Sequence, residues 1–416
     1  MNNLANNGIR VMLVGPYPPP FGGISSLIVS LLEGFQTEDV DKAVVVYFDN
    51  KNSIEIMDRA IIYRLSVKKH AIQKILSPIN WLLLPKLILT YRSKGLSLKD
   101  HIRNFIQISL LLEVAKKERI NVASFFQSDC SMPLLFLKKW WKDKVGIALT
   151  VFGEIYDLNQ YMMQRKKLFL EMIVSSDIVL SSSCHCALAY SQIGNTREIE
   201  VVYVGVSLDR FDSPDLRKNF RDEFGVDDGE TAILFMGRFE SEMGLDSIFN
   251  IASKIIAVNP KVKFIMAGAS GALTSQALDL ESKYPQHFIV RNNIPFSEQP
   301  AYYIGSDIVL APTVDQHACM GVTIKEAMAA SKPVIGSDSG GIPEAIIDHE
   351  TGIIVPLLDN GKNNEILFHD AILTLANDSI LQNKLGKTAR FRAEELFSDK
   401  VTVQKYQDAF YKTLDD

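Results

Sequence analysis

Short apolar runs alternate with longer amphipathic segments along the 416 residues of this chain. Residues 9–15 form an apolar run that ends in a turn rich in Pro and Gly, and apolar residues then recur at helical spacing over 24–35. This order predicts a strand, a turn and a helix. Repeated alternation of strand and helix predicts a parallel sheet covered on both faces. Further strands of the N-terminal half are predicted at 43–48, 122–126, 146–151, 178–181 and 200–204.

The same pattern restarts after a polar passage at 207–230. A chain of 46.5 kDa suits two domains, because single hydrophobic cores stop growing near about 250 to 300 residues. We therefore predict two doubly wound α/β domains joined near 205–230, followed by an amphipathic C-terminal helix at 399–416. The strands of the second domain are predicted at 232–236, 263–267, 288–291, 308–311, 333–336 and 352–355.

The net charge of -5 is unevenly distributed between the two halves of the chain. Residues 1–200 hold 24 Lys and Arg against 18 acids, whereas residues 201–416 hold 20 against 31. Within the first half, 64–103 carries nine Lys or Arg and one acid, interleaved with aliphatic residues and Trp81. The pattern is typical of a segment lying on an anionic membrane, with 138–142 as a second anchor. The alternative is a solvated basic helix face that covers the sheet of the first domain.

Several function classes are not supported by the sequence. No secretory signal and no apolar stretch of about 18 residues is visible, and the four Cys are irregularly spaced, so a cytoplasmic protein is expected. No metal-binding spacing, serine-hydrolase elbow or P-loop is present, and neither a metal nor another cofactor is expected. The basic segment is too aliphatic for a nucleic-acid module, so no nucleic-acid partner is expected.

Two glycine pairs follow predicted strands, Gly22 and Gly23 in the first domain and Gly340 and Gly341 in the second. In open α/β sheets, ligands bind at the carboxyl ends of strands, where helix N-termini present unpaired N–H groups. Glycine lets the backbone approach such a ligand closely. The alternative for each pair is a tight turn without a ligand.

Four segments resemble glycosyltransferase family 4, which comprises retaining enzymes that use nucleotide sugars. They are GPYPPPFGGISSLIVSLLEGF at the first turn, VVYVGVSLDRF between the domains, FMGRFESEMGLD at the start of the second domain, and KEAMAASKPVIGSDSGGIPEAIIDHETGIIVP. The resemblance implies the GT-B fold, in which two Rossmann-like doubly wound domains face each other across a cleft. It places an acceptor-binding domain at 1–206, onto which the helix 399–416 packs, and a donor-binding domain at 207–398.

The resemblance also implies roles for individual residues. Glu326 corresponds to the second Glu of a paired motif and would accept hydrogen bonds from the ribose hydroxyls of the donor. Arg238 would neutralise the leaving diphosphate, and both residues are candidates for catalysis. The alternatives are a surface carboxylate for Glu326 and a structural salt bridge for Arg238. The remaining candidate donor-binding residues are Gly22, Gly23, Gly321, Val322, Thr323, Gly340 and Gly341.

Three positions depart from the family pattern. Ala318 stands where the first Glu of the pair is expected, Met243 where a phosphate-binding Lys is expected, and Phe152 where a His is expected before Gly153. Losing one charge-assisted phosphate contact costs about 1.5 to 3 kcal/mol. The candidate substitutes for the missing groups are Glu154, Asp315, His317 and Lys325.

The resemblance therefore implies a hexosyltransferase that moves a sugar, with retention, from a nucleoside-diphosphate sugar to a saccharide or lipid-linked glycan hydroxyl. By analogy, surface polysaccharide synthesis at the inner face of the cell membrane is the expected setting. The alternative is a non-catalytic GT-B module that binds a glycan or a partner glycosyltransferase.

Overall fold

The chain divides into two compact units, one formed by Met1–Tyr203 with Thr402–Asp416 and the other by Val204–Val401. Each unit is built on its own mainly parallel sheet with helices between the strands, which confirms the predicted α/β class. The residues that this computed structural model describes are 8–18, 22–35, 40–91, 96–126, 131–155 and 160–414.

The first unit has an eight-stranded sheet in the order β3-β4-β2-β1-β5-β6-β7-β8. Its strands are β1 (Ile9–Val14), β2 (Val40–Phe48), β3 (Ser53–Ile56), β4 (Ala60–Leu65), β5 (Val122–Phe126), β6 (Gly146–Val151), β7 (Ile178–Ser181) and β8 (Glu200–Val201). Its helices are α1 (Gly23–Gly34), α2 (Val67–Leu76), α3 (Pro78–Trp81), α4 (Leu84–Tyr91), α5 (Leu98–Glu118), α6 (Leu134–Trp141), α7 (Gln160–Ser175) and α8 (Cys184–Gln192).

Two edges of this sheet differ from the prediction. The strands β3 and β4 were not predicted, and they pair antiparallel with each other. All four residues of β3 are exposed, so β3 has no buried apolar face. β4 is a mostly buried apolar run that the prediction missed. At the other edge, the strand predicted at 200–204 is only two residues long, because β8 pairs with β7 only at Glu200 and Val201.

The second unit has a six-stranded, fully parallel sheet in the order β11-β10-β9-β12-β13-β14. Its strands are β9 (Thr231–Met236), β10 (Val262–Gly268), β11 (Phe288–Asn292), β12 (Ile308–Ala311), β13 (Val334–Ser337) and β14 (Gly352–Val355). Its helices are α9 (Asp215–Glu223), α10 (Leu245–Val258), α11 (Thr274–Lys283), α12 (Gln299–Gly305), α13 (Val322–Ala329), α14 (Ile342–Ala345), α15 (Glu365–Ala376) and α16 (Ser379–Leu396).

The segment predicted as a linker, 205–230, is part of the second unit. Phe220 of α9 packs edge-on against Tyr302 of α12, with the ring centroids 5.2 Å apart. Phe220 also lies so close to Gly305 that a Cβ at Gly305 would be 2.0 Å from its ring. The segment is therefore anchored to the core of the second unit by aromatic packing.

The last helix, α17 (Asp399–Lys412), carries buried aromatic side chains into the core of the first unit. The ring of Tyr406 stacks on Phe126 at 6.1 Å, and its hydroxyl lies 3.1 Å from the hydroxyl of Thr150. Phe410 packs against Phe35 at 6.0 Å. Residues from both ends of the chain thus share one core.

Candidate functional site

The strand order of the second unit defines where a ligand is expected. Numbered within the unit, the order is 3-2-1-4-5-6, which is the dinucleotide-binding Rossmann order. The order reverses between β9 and β12, and ligands of such sheets bind beyond the carboxyl ends of the strands at this point. The candidate site therefore lies beyond Met236 and Ala311, where these two strands end.

The helix α13 begins at this reversal point and carries most of the predicted site residues. Its N-cap is Gly321, with φ +76, a left-handed conformation that favours glycine. No side chain caps the helix, and its first turn holds no acid, so its N-terminus is suited to an anion. The hydroxyl of Thr323 donates to the carbonyl of Met236 at 3.1 Å and joins the helix to the end of β9. Val322 is half-buried beside it.

Glu326 is a buried carboxylate, 5% exposed, in the second turn of α13. Its Oε2 accepts a hydrogen bond from the hydroxyl of Tyr303 at 2.7 Å. Its Oε1 lies 3.7 Å from Nη1 of Arg210, which is close enough for an ion pair and too long for a hydrogen bond. The alternative that Glu326 is a surface carboxylate is therefore wrong.

The surroundings of Glu326 act on its pKa in opposite directions. Burial raises the pKa, while the hydrogen bond from Tyr303 and the charge of Arg210 lower it, and the net pKa is raised. Burial and the negative charge of Glu326 also raise the pKa of Tyr303 well above its ordinary value. Tyr303 thus stays protonated and remains a donor.

Tyr303 and Arg210 were not identified as site residues from the sequence. Arg210 stacks over Phe296 at 3.9 Å, and its Nη2 donates to the Phe296 carbonyl at 2.9 Å. The only feature of the sequence that could have indicated Arg210 is its place in the segment VVYVGVSLDRF, which was noted for the family resemblance. Tyr303 precedes Glu326 by 23 residues on another helix, and no local pattern links the two.

Arg238 follows β9, and its side chain is 59% exposed. Its guanidinium pairs with Glu242 at 3.1 Å, and that carboxylate is 46% exposed. Exposed pairs of this kind contribute about 0 to 1 kcal/mol to stability. A diphosphate, which offers more charge and more acceptors, could displace Glu242 from Arg238 at little cost.

A cavity of about 100 Å³ lies between the strand ends and α13. Met243 and Ala318, the two departures from the family pattern in this unit, both line it. Glu326 and Arg238 are not among its lining residues. Its lining consists of Phe235, Met236, Met243, Leu310, Ala311, Pro312, Thr313, Asp315, Ala318, Met320, Gly321, Thr323, Ile324 and Ile342.

The three candidate substitutes in the second unit occupy different environments. Asp315 lines the cavity, and its Oδ1 lies 2.5 Å from Nδ1 of His317 in the same loop. Lys325 is 3% exposed, and its ammonium group donates to the carbonyl of Val204 at 2.7 Å. This contact gives Lys325 a structural role, and Lys325 does not line the cavity.

The second glycine pair is explained by packing within the unit. A Cβ at Gly341 would lie 1.4 Å from the carbonyl oxygen of Cys319, and one at Gly340 would lie 2.3 Å from that of Ala318. Gly340 also has φ +55, and the N–H of Gly341 donates to the Ala318 carbonyl at 2.8 Å. The room left by these glycines is therefore taken by the loop that carries Asp315. A role of the pair in donor binding stays a prediction.

The first glycine pair is different. Gly22 is the extended N-cap of α1, and a Cβ there would meet only the Ser25 hydroxyl, at 3.9 Å. A Cβ at Gly23 would meet nothing within 4 Å. Packing among the described residues therefore does not require glycine at Gly23. A role of this pair in donor binding stays a prediction. Phe152 is half-buried, and the side chain of Glu154 lies outside the described part of the chain.

The sequence of the second unit matches a known protein family. Residues 217–392 match the family described as "Glycosyl transferases group 1". The GDP-mannose-dependent alpha-(1-6)-phosphatidylinositol monomannoside mannosyltransferase of Mycolicibacterium smegmatis is 27% identical over 172 residues, which cover 40% of this chain and 45% of that protein. Spore coat protein SA of Bacillus subtilis is 25% identical over 300 residues, which cover 68% of this chain and 76% of that protein. The chain spans about half the length of the first curated relatives it matches.

Solved structures extend the likeness to the whole chain. Sucrose-phosphate synthase from Thermosynechococcus elongatus superposes with a TM-score of 0.72 at 16% identity, covering 97% of this chain and 98% of that chain. Anabaena Alr3699/HepE in complex with UDP superposes with a TM-score of 0.70 at 14% identity, covering 97% and 99%. The chain therefore has the GT-B fold of glycosyltransferases.

Proposed function

We propose that this protein is a retaining glycosyltransferase of family 4 that transfers a hexose from a nucleoside-diphosphate sugar to a hydroxyl of a saccharide or lipid-linked glycan. The observation that carries the proposal is the grouping of Glu326, Arg238 and the uncapped N-terminus of α13 at the strand-order reversal of the second unit. The relatives support a nucleotide-sugar donor, since one is GDP-mannose-dependent and another was solved with UDP.

Each group has a task in this reaction that follows from its chemistry. The N–H groups of α13 and the guanidinium of Arg238 bind the diphosphate, and they stabilise the negative charge that grows on it as the sugar leaves. Glu326 accepts hydrogen bonds from the ribose hydroxyls. Tyr303 and Arg210 hold its carboxylate in place and offset part of the cost of burying it. No metal ion or other cofactor takes part in the proposed reaction.

Donor binding tests the proposal directly. A ligand that binds only the folded state raises the melting temperature, so UDP and GDP sugars are screened by thermal shift. One of these nucleotides is expected to raise the melting temperature. The change Glu326→Ala should weaken binding of that nucleotide by about 1 to 3 kcal/mol, the scale for losing hydrogen bonds to a charged group. Glu344→Ala, which removes an acid from the first turn of the neighbouring helix α14, is the matched control. Equal affinity of wild type and Glu326→Ala would remove the ribose assignment.

One observation favours the second candidate, a non-catalytic GT-B module that binds a glycan or a partner glycosyltransferase. Met243 and Ala318 give the cavity apolar groups where the family resemblance implies a cation and an acceptor. Measuring hydrolysis of the bound donor separates the candidates. A module binds the donor without turnover, whereas an enzyme that passes the sugar to water releases free sugar and the nucleoside diphosphate in the absence of an acceptor.

We also propose that the protein works at the inner face of the cell membrane, in surface polysaccharide synthesis, with 64–103 and 138–142 in contact with anionic lipid. Within the described residues, no helix is both long and apolar enough to cross a bilayer. Contact through basic residues predicts flotation with anionic liposomes at low salt and loss of flotation at high salt. Absence of flotation at low salt would eliminate this contact.

A further inference from the structure

Four helices of the first unit, α2 to α5, form a groove, here called the α2–α5 groove. Its volume is about 570 Å³, within the range of about 300 to 1,000 Å³ that small-molecule sites occupy. Among the described residues that line it, only His101 is not apolar. The lining is formed by Ile75, Trp81, Leu84, Leu87, Ile88, Leu98, His101, Ile102 and Phe105.

Large apolar side chains of the α2–α5 groove, and two outside it, are open to solvent. Trp81 is 57% exposed, Ile88 53% and Leu98 75%. Leu82 and Leu89, which do not line the groove, are 74% and 71% exposed. Contiguous exposed apolar surface of this kind marks an interaction site. The indole N–H of Trp81 donates to the Ile75 carbonyl at 2.7 Å, so the ring can enter an apolar phase without an unpaired donor.

The charges around the α2–α5 groove favour an anionic partner. Asp100, the one acid in 64–103, is paired with Arg165 at 3.0 Å, which removes the main local source of repulsion. The basic surface continues onto α6, where the ammonium group of Lys86 lies over the ring of Trp140 at 4.8 Å. The two segments of the proposed membrane contact thus touch each other at this pair. Within the described part of 64–103, the exposed basic residues are Lys68, Lys69, Lys86, Lys99 and Arg103.

We propose that the α2–α5 groove binds one acyl chain of an anionic membrane lipid, with the lipid headgroup held by the basic residues at its edge. The inference rests on the proposed membrane contact and goes beyond it. A surface contact needs only protruding apolar and basic side chains, whereas a groove with an apolar lining encloses a single chain. Enclosure removes more apolar surface from water than contact with a headgroup layer does.

Quenching of Trp81 fluorescence by a brominated chain tests the proposal. Trp81, Trp140 and Trp141 are the three tryptophans of the chain, and changing the last two to Phe leaves Trp81 as the single reporter. Dibromostearate, used below its micelle concentration, is the probe, because a monomeric chain can occupy a groove in the absence of a bilayer. Saturable quenching is expected, and unbrominated stearate should reverse it. A monoacylglycerol of the same chain length should compete less well, since it lacks the negative charge.

Two neighbouring positions on α4 provide matched variants. Ile88 lines the groove and Leu89 does not, although both are largely exposed. The change Ile88→Glu is expected to weaken quenching at least tenfold, because it places a charge against the chain, and Leu89→Glu should stay within twofold of the parent. Ile102→Phe, which narrows the groove without adding a charge, is the second test should Ile88→Glu fail to fold.

Four results would overturn the proposal. They are absence of quenching by the monomeric probe, equal effects of Ile88→Glu and Leu89→Glu, quenching by brominated vesicles alone, and a dimer in sedimentation that Ile88→Glu dissociates. Quenching by brominated vesicles alone would leave the surface contact intact, because flotation would still occur. A dimer that Ile88→Glu dissociates would make the groove an interface between copies of this chain. Thermal shift with the donor nucleotide on the same variants measures donor binding by the second unit. Loss of donor binding is therefore distinguishable from loss of acyl-chain binding by the groove.

Discussion

Glu326 shows how the surroundings of one side chain set its properties. Its carboxylate is buried, and Tyr303 and Arg210 compensate only part of the cost, so the net pKa is raised above the ordinary value of 4.5. The folded protein therefore holds a proton at pH values where the unfolded chain has released it. The stability linked to this proton is complete below about pH 4.5 and is lost as the pH rises through the raised pKa.

A substitution at Glu326 tests this pH dependence. Glu326→Gln keeps the shape of the side chain and removes its titration, so the free energy of unfolding of wild type should fall relative to the variant as the pH rises from about 4.5. Urea denaturation between about pH 4 and pH 8 measures the difference. Tyr303→Phe removes the donor to Oε2, which should extend the fall to higher pH and cost about 1 to 3 kcal/mol at neutral pH. A difference between wild type and Glu326→Gln that does not change with pH would contradict this account.

At the scale of elements, the two glycine pairs follow strands in the same way and yet have different surroundings. Gly341 is required where the turn after β13 packs against the loop 315–319, whereas no described residue would contact a Cβ at Gly23, the first residue of α1. A glycine in a helical conformation costs stability relative to alanine, unless its surroundings exclude a methyl group. Only the Gly341 turn excludes one.

Alanine substitutions distinguish the two turns. Gly341→Ala places a methyl group against the Cys319 carbonyl and should lower the free energy of unfolding by about 1 to 3 kcal/mol. Gly23→Ala should leave stability unchanged or raise it by up to about 1 kcal/mol. Urea denaturation of both variants measures the two changes. Equal losses at the two positions would show that packing, and not room for a ligand, explains Gly23 as well.

At the scale of the whole molecule, the first unit depends on the last residues of the chain. Tyr406 and Phe410 of α17 are fully buried against Phe126 and Phe35. Truncating one buried aromatic costs about 3 to 5 kcal/mol, and a domain is stable by about 5 to 15 kcal/mol in total. Removing both side chains therefore approaches the entire stability of the unit.

Deletion of 402–416 tests this dependence. The first unit should become sensitive to protease, while a fragment from the second unit survives, and limited proteolysis with mass spectrometry identifies the cleavage sites. Phe391→Ala on α16 is the control, because this aromatic is 60% exposed and its loss should leave the cleavage pattern unchanged. A truncated protein whose first unit resists cleavage would refute the shared core.

Much of the fold could be predicted because buried parallel strands are continuous apolar runs. The strands β5, β6, β7, β12 and β14 have the predicted bounds, and the class of each unit follows from the alternation of strands with helices. The exposed strand β3 has no such signal, and its pairing with β4 depends on the rest of the sheet.

The site was predicted where residues lie close in sequence, as in 318–326.

The sequence by itself determined the class of the fold, the position of α13 and the presence of an acid within it, because apolar spacing and glycine act over a few residues. Only the tertiary structure decided the surroundings of that acid, since Arg210 and Tyr303 reach Glu326 from two other elements. It likewise decided that Gly340 and Gly341 accommodate the chain's own backbone, because which atoms fill an open space depends on segments that the local sequence does not specify.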